Sequence, residues 1–321
     1  MSQPSAIDAH QHVVPPEYAR WLASRGWHLP VPGWTADQAL AAMDGQKIEA
    51  ALLSVTTPGL YRAGGDEARR LARQVNEFAA GQVARHPGRF GFFATLTLPD
   101  VDGAVAEAGY ALDELQADGV VLLANAGGRH LGDPLFLPLY AELDRRAAVL
   151  LVHPTFPAAL GPPAATGNPR ADVDLLAETT RSAVDLAGSG ILARFARLRV
   201  ILAHAGGYLP YMAHRIAPMC SPDGSYQAGL DLLRRFYFDV ALSSGGATLA
   251  ALMAFAGPGH VLFGTDWPYA PPAVIDHFRA ELSGYAFAPG QREAVLRTAA
   301  EALFPRLRRD GSGGAGPLTP A

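Results

Sequence analysis

The stretch AIDAHQH, residues 6–12, places two histidines one residue apart at the end of a short apolar segment. Side chains alternate between the two faces of an extended strand, so His10 and His12 point the same way. Val13-Val14 and Pro15-Pro16 follow, which indicates that the strand ends here and turns into a loop. Two imidazoles aimed in one direction form half of a metal site, although such a pair near an N-terminus also occurs as a surface feature.

Outward from this stretch, apolar strands alternate with segments that carry apolar residues at helical spacing. Eight strands are predicted, at residues 6–12, 48–55, 90–98, 119–125, 149–153, 199–204, 236–242 and 261–266. Eight such strand–helix units within 321 residues favour an α/β fold of the (β/α)8 TIM barrel type. An open, doubly wound sheet is the alternative, but no Gly-x-Gly-x-x-Gly motif follows any of the strands.

Composition narrows the class of protein further. The chain is 49% hydrophobic with a formal net charge of -4, which suits one barrel domain over residues 1–309 and argues against nucleic acid as a partner. The Gly/Pro-rich tail, residues 310–321, is predicted to be disordered. No apolar run approaches the roughly 18 residues of a membrane span, and no signal peptide precedes His10, so we expect a cytoplasmic protein without a membrane partner.

Residues that can bind metal lie at the ends of several predicted strands. Since Cys220 is the only cysteine, any metal must rest on histidines and carboxylates. Taken alone, each strand-end residue also fits a purely structural role, as a histidine packed in the core or as an aspartate in a turn. Together at one face of one barrel they predict a catalytic metal centre. The residues are His10 and His12 (first strand), His153 (fifth), His204 (sixth) and Asp266 (eighth).

Four motifs in this order resemble the amidohydrolase superfamily. The similarity is greatest to the branch typified by aminocarboxymuconate-semialdehyde decarboxylase. Residues 86–100 (HPGRFGFFATLTLPD) and 131–146 (LGDPLFLPLYAELDRR) also resemble bacterial members related to 6-methylsalicylate decarboxylase. The resemblance extends from residue 6 to residue 308. Its motifs are His10-x-His12, His153-Pro154, His204-Ala205-Gly206-Gly207 and Gly264-Thr265-Asp266-Trp267-Pro268.

The resemblance implies a metal-dependent hydrolase type of barrel with one divalent metal per chain. Zinc is the usual ion in this branch, and the same donors also accept manganese. The implied ligands are His10, His12, His153 and Asp266, with His204 and Asp266 as catalytic acid/base residues. Binuclear relatives bridge their metals with a carbamylated lysine or a glutamate at the end of strand four. That strand here ends in Leu123-Ala124-Asn125, and the only lysine, Lys47, precedes strand two.

The implied reaction is nonoxidative decarboxylation of a small aromatic, 6-methylsalicylate-like carboxylic acid. Two alternatives remain open: a metal-dependent hydrolase of a lactone or amide, and an inactive metal-binding barrel that serves as a structural partner. The second is disfavoured because a structural metal would not require both His204 and Asp266.

A carboxylate substrate needs a cationic anchor. Arg215 matches an arginine that related decarboxylases send into a neighbouring subunit's site, which implies a homodimer; the alternative is a surface arginine in an intrasubunit salt bridge. Arg62, beside Tyr61, is a second candidate. Residues 37–44 lack the arginine with which aminocarboxymuconate-semialdehyde decarboxylase binds its substrate, so a less polar aromatic acid is expected. Aromatic residues near the strand ends either wall the pocket or pack loops: Trp267, Phe156, Tyr61, Tyr208 and Tyr269.

Overall fold

The computed structural model describes residues 5–27, 31–157 and 173–308. Within these ranges, eight parallel strands pair in chain order. Ala9 N donates a hydrogen bond to Phe263 O at 2.9 Å, and Gln11 bridges to Trp267, so the last strand returns to the first and the predicted (β/α)8 barrel is confirmed. The barrel strands are β1 (Ala6–His12), β2 (Ile48–Ser54), β3 (Phe90–Thr95), β4 (Gly119–Leu123), β5 (Val149–His153), β6 (Arg199–Leu202), β7 (Tyr237–Asp239) and β8 (Val261–Leu262).

Helices fill the connections and cover the outside of the barrel. Thr35 and Gln38 resemble a capping box in the sequence, and the box forms in part, because Gln38 N donates to Thr35 Oγ1 at 3.2 Å. None of the helices in the described ranges is long and apolar enough to cross a membrane. The helices are α1 (Pro16–Ser24), α2 (Ala36–Gly45), α3 (Gly65–Arg85), α4 (Val101–Asp113), α5 (Leu137–Arg145), α6 (Asp174–Gly188), α7 (Ile191–Arg194), α8 (Leu209–Ile216), α9 (Tyr226–Leu233), α10 (Gly246–Phe255), α11 (Pro272–Gly284), α12 (Gln291–Glu293) and α13 (Ala299–Leu303), with a π-helical turn at Ala294–Thr298.

Several elements differ from the sequence-based expectation. Strands β3, β7 and β8 end earlier than predicted, at Thr95, Asp239 and Leu262. Helix α11 is absent from the predicted elements because Pro271-Pro272 resembles a loop, yet proline is tolerated in the first helical turn, where its missing N–H has no intrahelical partner. The spacing of apolar residues over 173–194 predicts one helix, but this segment divides into α6 and α7, since Gly190 adopts a φ of 80° between them. The predicted tail, residues 310–321, lies outside the described residues.

The N-terminal end of the barrel is closed by the C-terminal segment of the chain. Leu303 and Phe304 pack into the barrel interior, where the rings of Phe304 and Phe93 lie 5.7 Å apart. Arg297 pairs with Glu49 at 2.9 Å near the start of β2, and this pair ties the π-helical turn before α13 to the same end. The opposite end, where the strands terminate, is therefore the end at which a site can form.

Candidate metal centre

The structure brings the four predicted ligands together at the C-terminal end of the barrel. His10, His12, His153 and Asp266 each offer one donor atom, and these atoms all lie within 4.8 Å of one another. His10 Nε2 is 3.1 Å from His12 Nε2, and Asp266 Oδ1 is 2.8 Å from His12 Nε2. Two ligands of a tetrahedral zinc with bonds of about 2.0–2.1 Å are about 3.3 Å apart. The spacing of the donors therefore fits one ion.

A β-bulge in β1 aims the two histidines inward. Asp8 pairs with Ala51 and Gln11 pairs with Leu53, so three steps along β1 match two steps along β2. Ile7 and Ala9 pack in the barrel interior, and strict alternation would then turn His10 outward. The extra residue resets the alternation, which is a known use of bulges beside active sites.

The proton positions on the rings also fit a metal. His12 Nδ1 lies 3.2 Å from Ser54 O, and His153 Nδ1 lies 2.9 Å from Pro154 O. A carbonyl oxygen can only accept, so both Nδ1 atoms carry the proton and both Nε2 atoms present a lone pair. His10 Nδ1 likewise donates to the carboxylate of Asp239 at 2.8 Å. Metal-binding imidazoles are oriented in this way.

The charges of the carboxylates and imidazoles in this cluster favour the binding of a cation. Burial lowers the pKa of His12 and, more strongly, that of His153, so both are held neutral. Burial opposes the charged form of His10 too, but the carboxylates of Asp239 and Asp266 outweigh it and raise its pKa to about 10. Burial raises the pKa of Asp266, yet the adjacent rings of His10 and His12 hold it well below its usual range. Two buried carboxylates thus face the charged ring of His10 and the neutral rings of His12 and His153, and a divalent ion balances the remaining negative charge.

Asp239 is a functional residue that the sequence analysis does not identify. Its side chain is fully buried at the end of β7 and accepts hydrogen bonds from His204 N at 3.1 Å and Ala241 N at 3.0 Å, besides that from His10. The sequence signal is a single carboxylate inside the apolar run FYFDVAL, residues 236–242. A charge in such a strand requires buried partners, and these partners are the metal-site histidines.

His204 lies beside the ligand cluster on a constrained turn. Its ring centroid is 4.7 Å from that of His10, and its Nδ1 donates to Ala241 O at 2.9 Å, which leaves Nε2 available as an acid or base. His204 has a φ of 53°, a conformation that residues other than glycine adopt uncommonly and that the surrounding structure must support. At Gly207, with a φ of 63°, a Cβ would lie 2.2 Å from Leu176 O, so the turn after His204 requires glycine.

The two candidate anchor arginines differ in their surroundings. Arg215 is exposed on α8 and forms no ion pair with any carboxylate of the described residues. The predicted alternative of an intrasubunit salt bridge is therefore not seen in this part of the chain. Arg62 is also exposed, and its guanidinium lies 5.3 Å from the ring centroid of Trp27 and 5.9 Å from that of Tyr61.

The predicted aromatic residues occupy different places. Tyr269 contacts a ligand, since its ring centroid is 5.4 Å from that of His12 in an edge-on arrangement. Trp267 packs against the outer hydrophobic core, and its carbonyl accepts from His12 N at 2.7 Å. Tyr61 lines a small cavity at the ends of β2 to β4, and Phe156 O accepts from Asn125 Nδ2 at 3.1 Å. The Tyr208 hydroxyl instead donates to Val173 O at 3.3 Å.

Comparison with known proteins places these residues in a family context. The profile of the amidohydrolase family matches residues 7–306. The chain is 41% identical to 6-methylsalicylic acid decarboxylase acuB of Aspergillus aculeatus, over 94% of this chain and 97% of that protein. It is 39% identical to decarboxylase macB of Penicillium terrestre, over 94% of this chain and 95% of that protein.

Solved structures show the same fold. A protein described as amidohydrolase II superimposes with a TM-score of 0.89 at 28% identity, over 94% of this chain and all of that chain. A 2,6-dihydroxybenzoate decarboxylase in complex with 2,6-dihydroxybenzoate superimposes with a TM-score of 0.77 at 25% identity, over 94% of this chain and 100% of that chain.

Proposed function

The chain belongs to the amidohydrolase family, and we propose that it is a metal-dependent, nonoxidative decarboxylase of a small phenolic acid similar to 6-methylsalicylate. The observation that carries this proposal is the convergence of four buried donors beside His204, in a chain that matches named decarboxylases over nearly its whole length. The family assignment and the enzyme class predicted from the sequence are confirmed by these relatives. A cytoplasmic location stays a prediction.

One divalent ion would be held by His10, His12, His153 and Asp266. We propose zinc as the resident ion, and three imidazoles with one carboxylate also suit manganese. When bound, such an ion supplies a Lewis acid for the carboxylate and phenol oxygens of the substrate. Asp239 orients His10 toward it.

His204 is the group that we assign to proton transfer. Its Nε2 would donate a proton to the ring carbon that bears the carboxylate; the carbon–carbon bond then breaks, its electron pair restores the aromatic ring, and CO2 leaves. Asp266 is the other predicted acid/base residue. Burial raises the pKa of Asp266, but the adjacent rings of His10 and His12 keep it well below the usual range, so Asp266 suits the role of a ligand better than that of a proton donor.

Arg215 is the proposed anchor for the substrate carboxylate of a neighbouring chain, which makes the protein a homodimer. The surface near it favours a contact with another chain, because Tyr211 on α8 is 89% exposed and Met219, in the turn after α8, is 69% exposed. Large exposed apolar residues of this kind are enriched at interfaces. Sedimentation velocity of the purified protein tests the dimer, and a monomer at micromolar concentration would contradict it.

The other predicted substrate contacts stay predictions, and we add Tyr269 to them. They are Trp267, Phe156, Tyr61 and Arg62.

The deciding experiment supplies the metal-loaded protein with 6-methylsalicylate and 2,6-dihydroxybenzoate and, in parallel, with aryl lactones and amides. We expect CO2 and the decarboxylated phenol from the first set, and no turnover by a His204→Asn variant that retains its metal. Acid release from the lactones or amides without CO2 formation would instead establish a hydrolase. Tight metal binding without turnover of either set would favour a structural barrel.

A further inference from the structure

We propose that Asp8, together with Thr265, is the positioning residue that fixes the first and last barrel strands so that His10 and Asp266 face one ion. The inference rests on the metal centre proposed above, and it adds two residues to which neither the motifs nor the comparisons assign a role. Asp8 does not belong to the ligand set, and its carboxylate instead accepts hydrogen bonds from the segments that carry the ligands.

The side chain of Asp8 is completely buried and accepts four hydrogen bonds. His10 N and Thr265 N donate to its Oδ1 at 3.0 and 3.1 Å. Thr265 Oγ1 and Gln11 Nε2 donate to its Oδ2 at 2.5 and 3.3 Å. Every donor belongs to a ligand or to the neighbour of a ligand, because Gln11 lies between the two histidines and Thr265 precedes Asp266.

The bulge in β1 explains why a carboxylate is required here. Between the bonds Ala9 N to Phe263 O and His12 N to Trp267 O, regular pairing of β1 with β8 is interrupted. The carbonyl of His10 receives two donors in this interval, Thr265 N at 3.3 Å and Asp266 N at 2.8 Å. The carboxylate of Asp8 accepts from His10 N, which a buried backbone cannot leave unpaired without a cost, and it shares Thr265 N with the carbonyl of His10 at the shorter distance of 3.1 Å.

The same junction leaves little room for adjustment. Asp266 has a φ of 64°, so its backbone depends on support from the surrounding contacts. A Cβ on Gly264 would lie 2.8 Å from the Cβ of His10, which shows how closely the end of β8 approaches the histidine. An asparagine at position 8 would keep one acceptor oxygen, but its NH2 group would replace the other. The donors that face that oxygen would then lose their acceptor. We therefore expect Asp8→Asn to displace His10 and Asp266 relative to each other.

The test measures how metal-free protein binds Co2+ in competition with a chromophoric chelator, and records the visible absorption of the Co2+ form. We expect Asp8→Asn and Thr265→Val to weaken Co2+ binding about 10–100-fold and to alter the spectrum. Thr265→Ser keeps the hydroxyl and should restore both. The matched control is Asp118→Asn, because Asp118 is also a buried carboxylate that accepts a strand N–H, from Phe92 at 2.9 Å, but at the N-terminal end of the barrel. That control should lower the melting temperature of the metal-free protein and leave Co2+ affinity unchanged.

Affinity within threefold of wild type and an unchanged spectrum in both variants would overturn the inference, as would an equal loss of affinity in Asp118→Asn. If Asp8→Asn does not fold, the pair Thr265→Val and Thr265→Ser decides alone. Wild-type protein that binds no Co2+ would contradict the metal centre itself. Normal wild-type binding with unaltered variants overturns only the role of Asp8 and Thr265.

Discussion

The two ends of the barrel balance their buried charges in different ways. At the N-terminal end, carboxylates meet arginines of the same chain, as in the pairs of Glu49 with Arg297 and of Asp118 with Arg306. At the C-terminal end, the buried carboxylates of Asp239 and Asp266 meet only imidazoles among the described residues. The first arrangement is complete within the chain and serves stability, whereas the second is completed by a bound cation and serves chemistry.

The largest expected effect comes from removing a ligand at the C-terminal end. His153→Ala should reduce the metal content from one ion per chain to nearly none and lower decarboxylation more than about 100-fold, a larger effect than the loss of a residue that only orients a ligand. Elemental analysis and the rate of CO2 release measure the two effects. The exposed His277→Ala is the matched control and should behave like wild type. Retention of a full equivalent of metal by His153→Ala would contradict the ligand assignment.

A substitution at the other end should separate stability from metal binding. Phe304 is 2% exposed inside the N-terminal end of the barrel, so Phe304→Ala should lower the free energy of unfolding by about 3–5 kcal/mol. Urea unfolding of the metal-free protein measures this loss, and chelator competition should give an unchanged metal affinity. A weakened metal site with intact stability would show that the two ends do not have separate roles.

The C-terminal end could be predicted from the sequence only as far as its ligands. The rule that the ends of parallel strands meet at one edge brings together the four ligands and, beside them, His204. Their separate roles follow from the family resemblance. The hydrogen bond between Asp239 and His10 joins residues that are 229 positions apart in the sequence, and the one between Asp8 and Thr265 joins residues 257 positions apart. Such partners depend on the register of the closed barrel and on the bulge in β1, neither of which leaves a local signal. Helix α11 is not predicted for a different reason. It begins at Pro272, directly after Pro271, and a Pro-Pro dipeptide is typical of a loop.

A smaller effect is expected from Arg215, which tests whether a second chain completes the C-terminal end. Loss of a charged hydrogen bond to the substrate costs about 1.5–3 kcal/mol, so Arg215→Ala should lower kcat/KM about 10–100-fold, chiefly through KM. Arg70→Ala is the matched control, as an exposed arginine on α3 that is not among the predicted substrate contacts. Mixing Arg215→Ala with His153→Ala chains should restore activity if Arg215 acts in the partner's site. No recovery in verified mixed dimers would contradict action between subunits.

The smallest effect is expected at Lys47, the only lysine of the chain. It is exposed in the turn before β2, at the N-terminal end, whereas a lysine that bridges two metals would have to lie at the C-terminal end of a strand. Leu123 occupies the end of β4 and pairs with His153. Lys47 has a φ of 55°, so Lys47→Asn suits the backbone, and it should change stability by less than about 0.5 kcal/mol. We expect one metal per chain and activity within twofold of wild type. If wild type bound two equivalents of metal and this variant lost one, the centre would be binuclear. The N-terminal end of the barrel would then also contribute to metal binding, against the division of roles between the two ends.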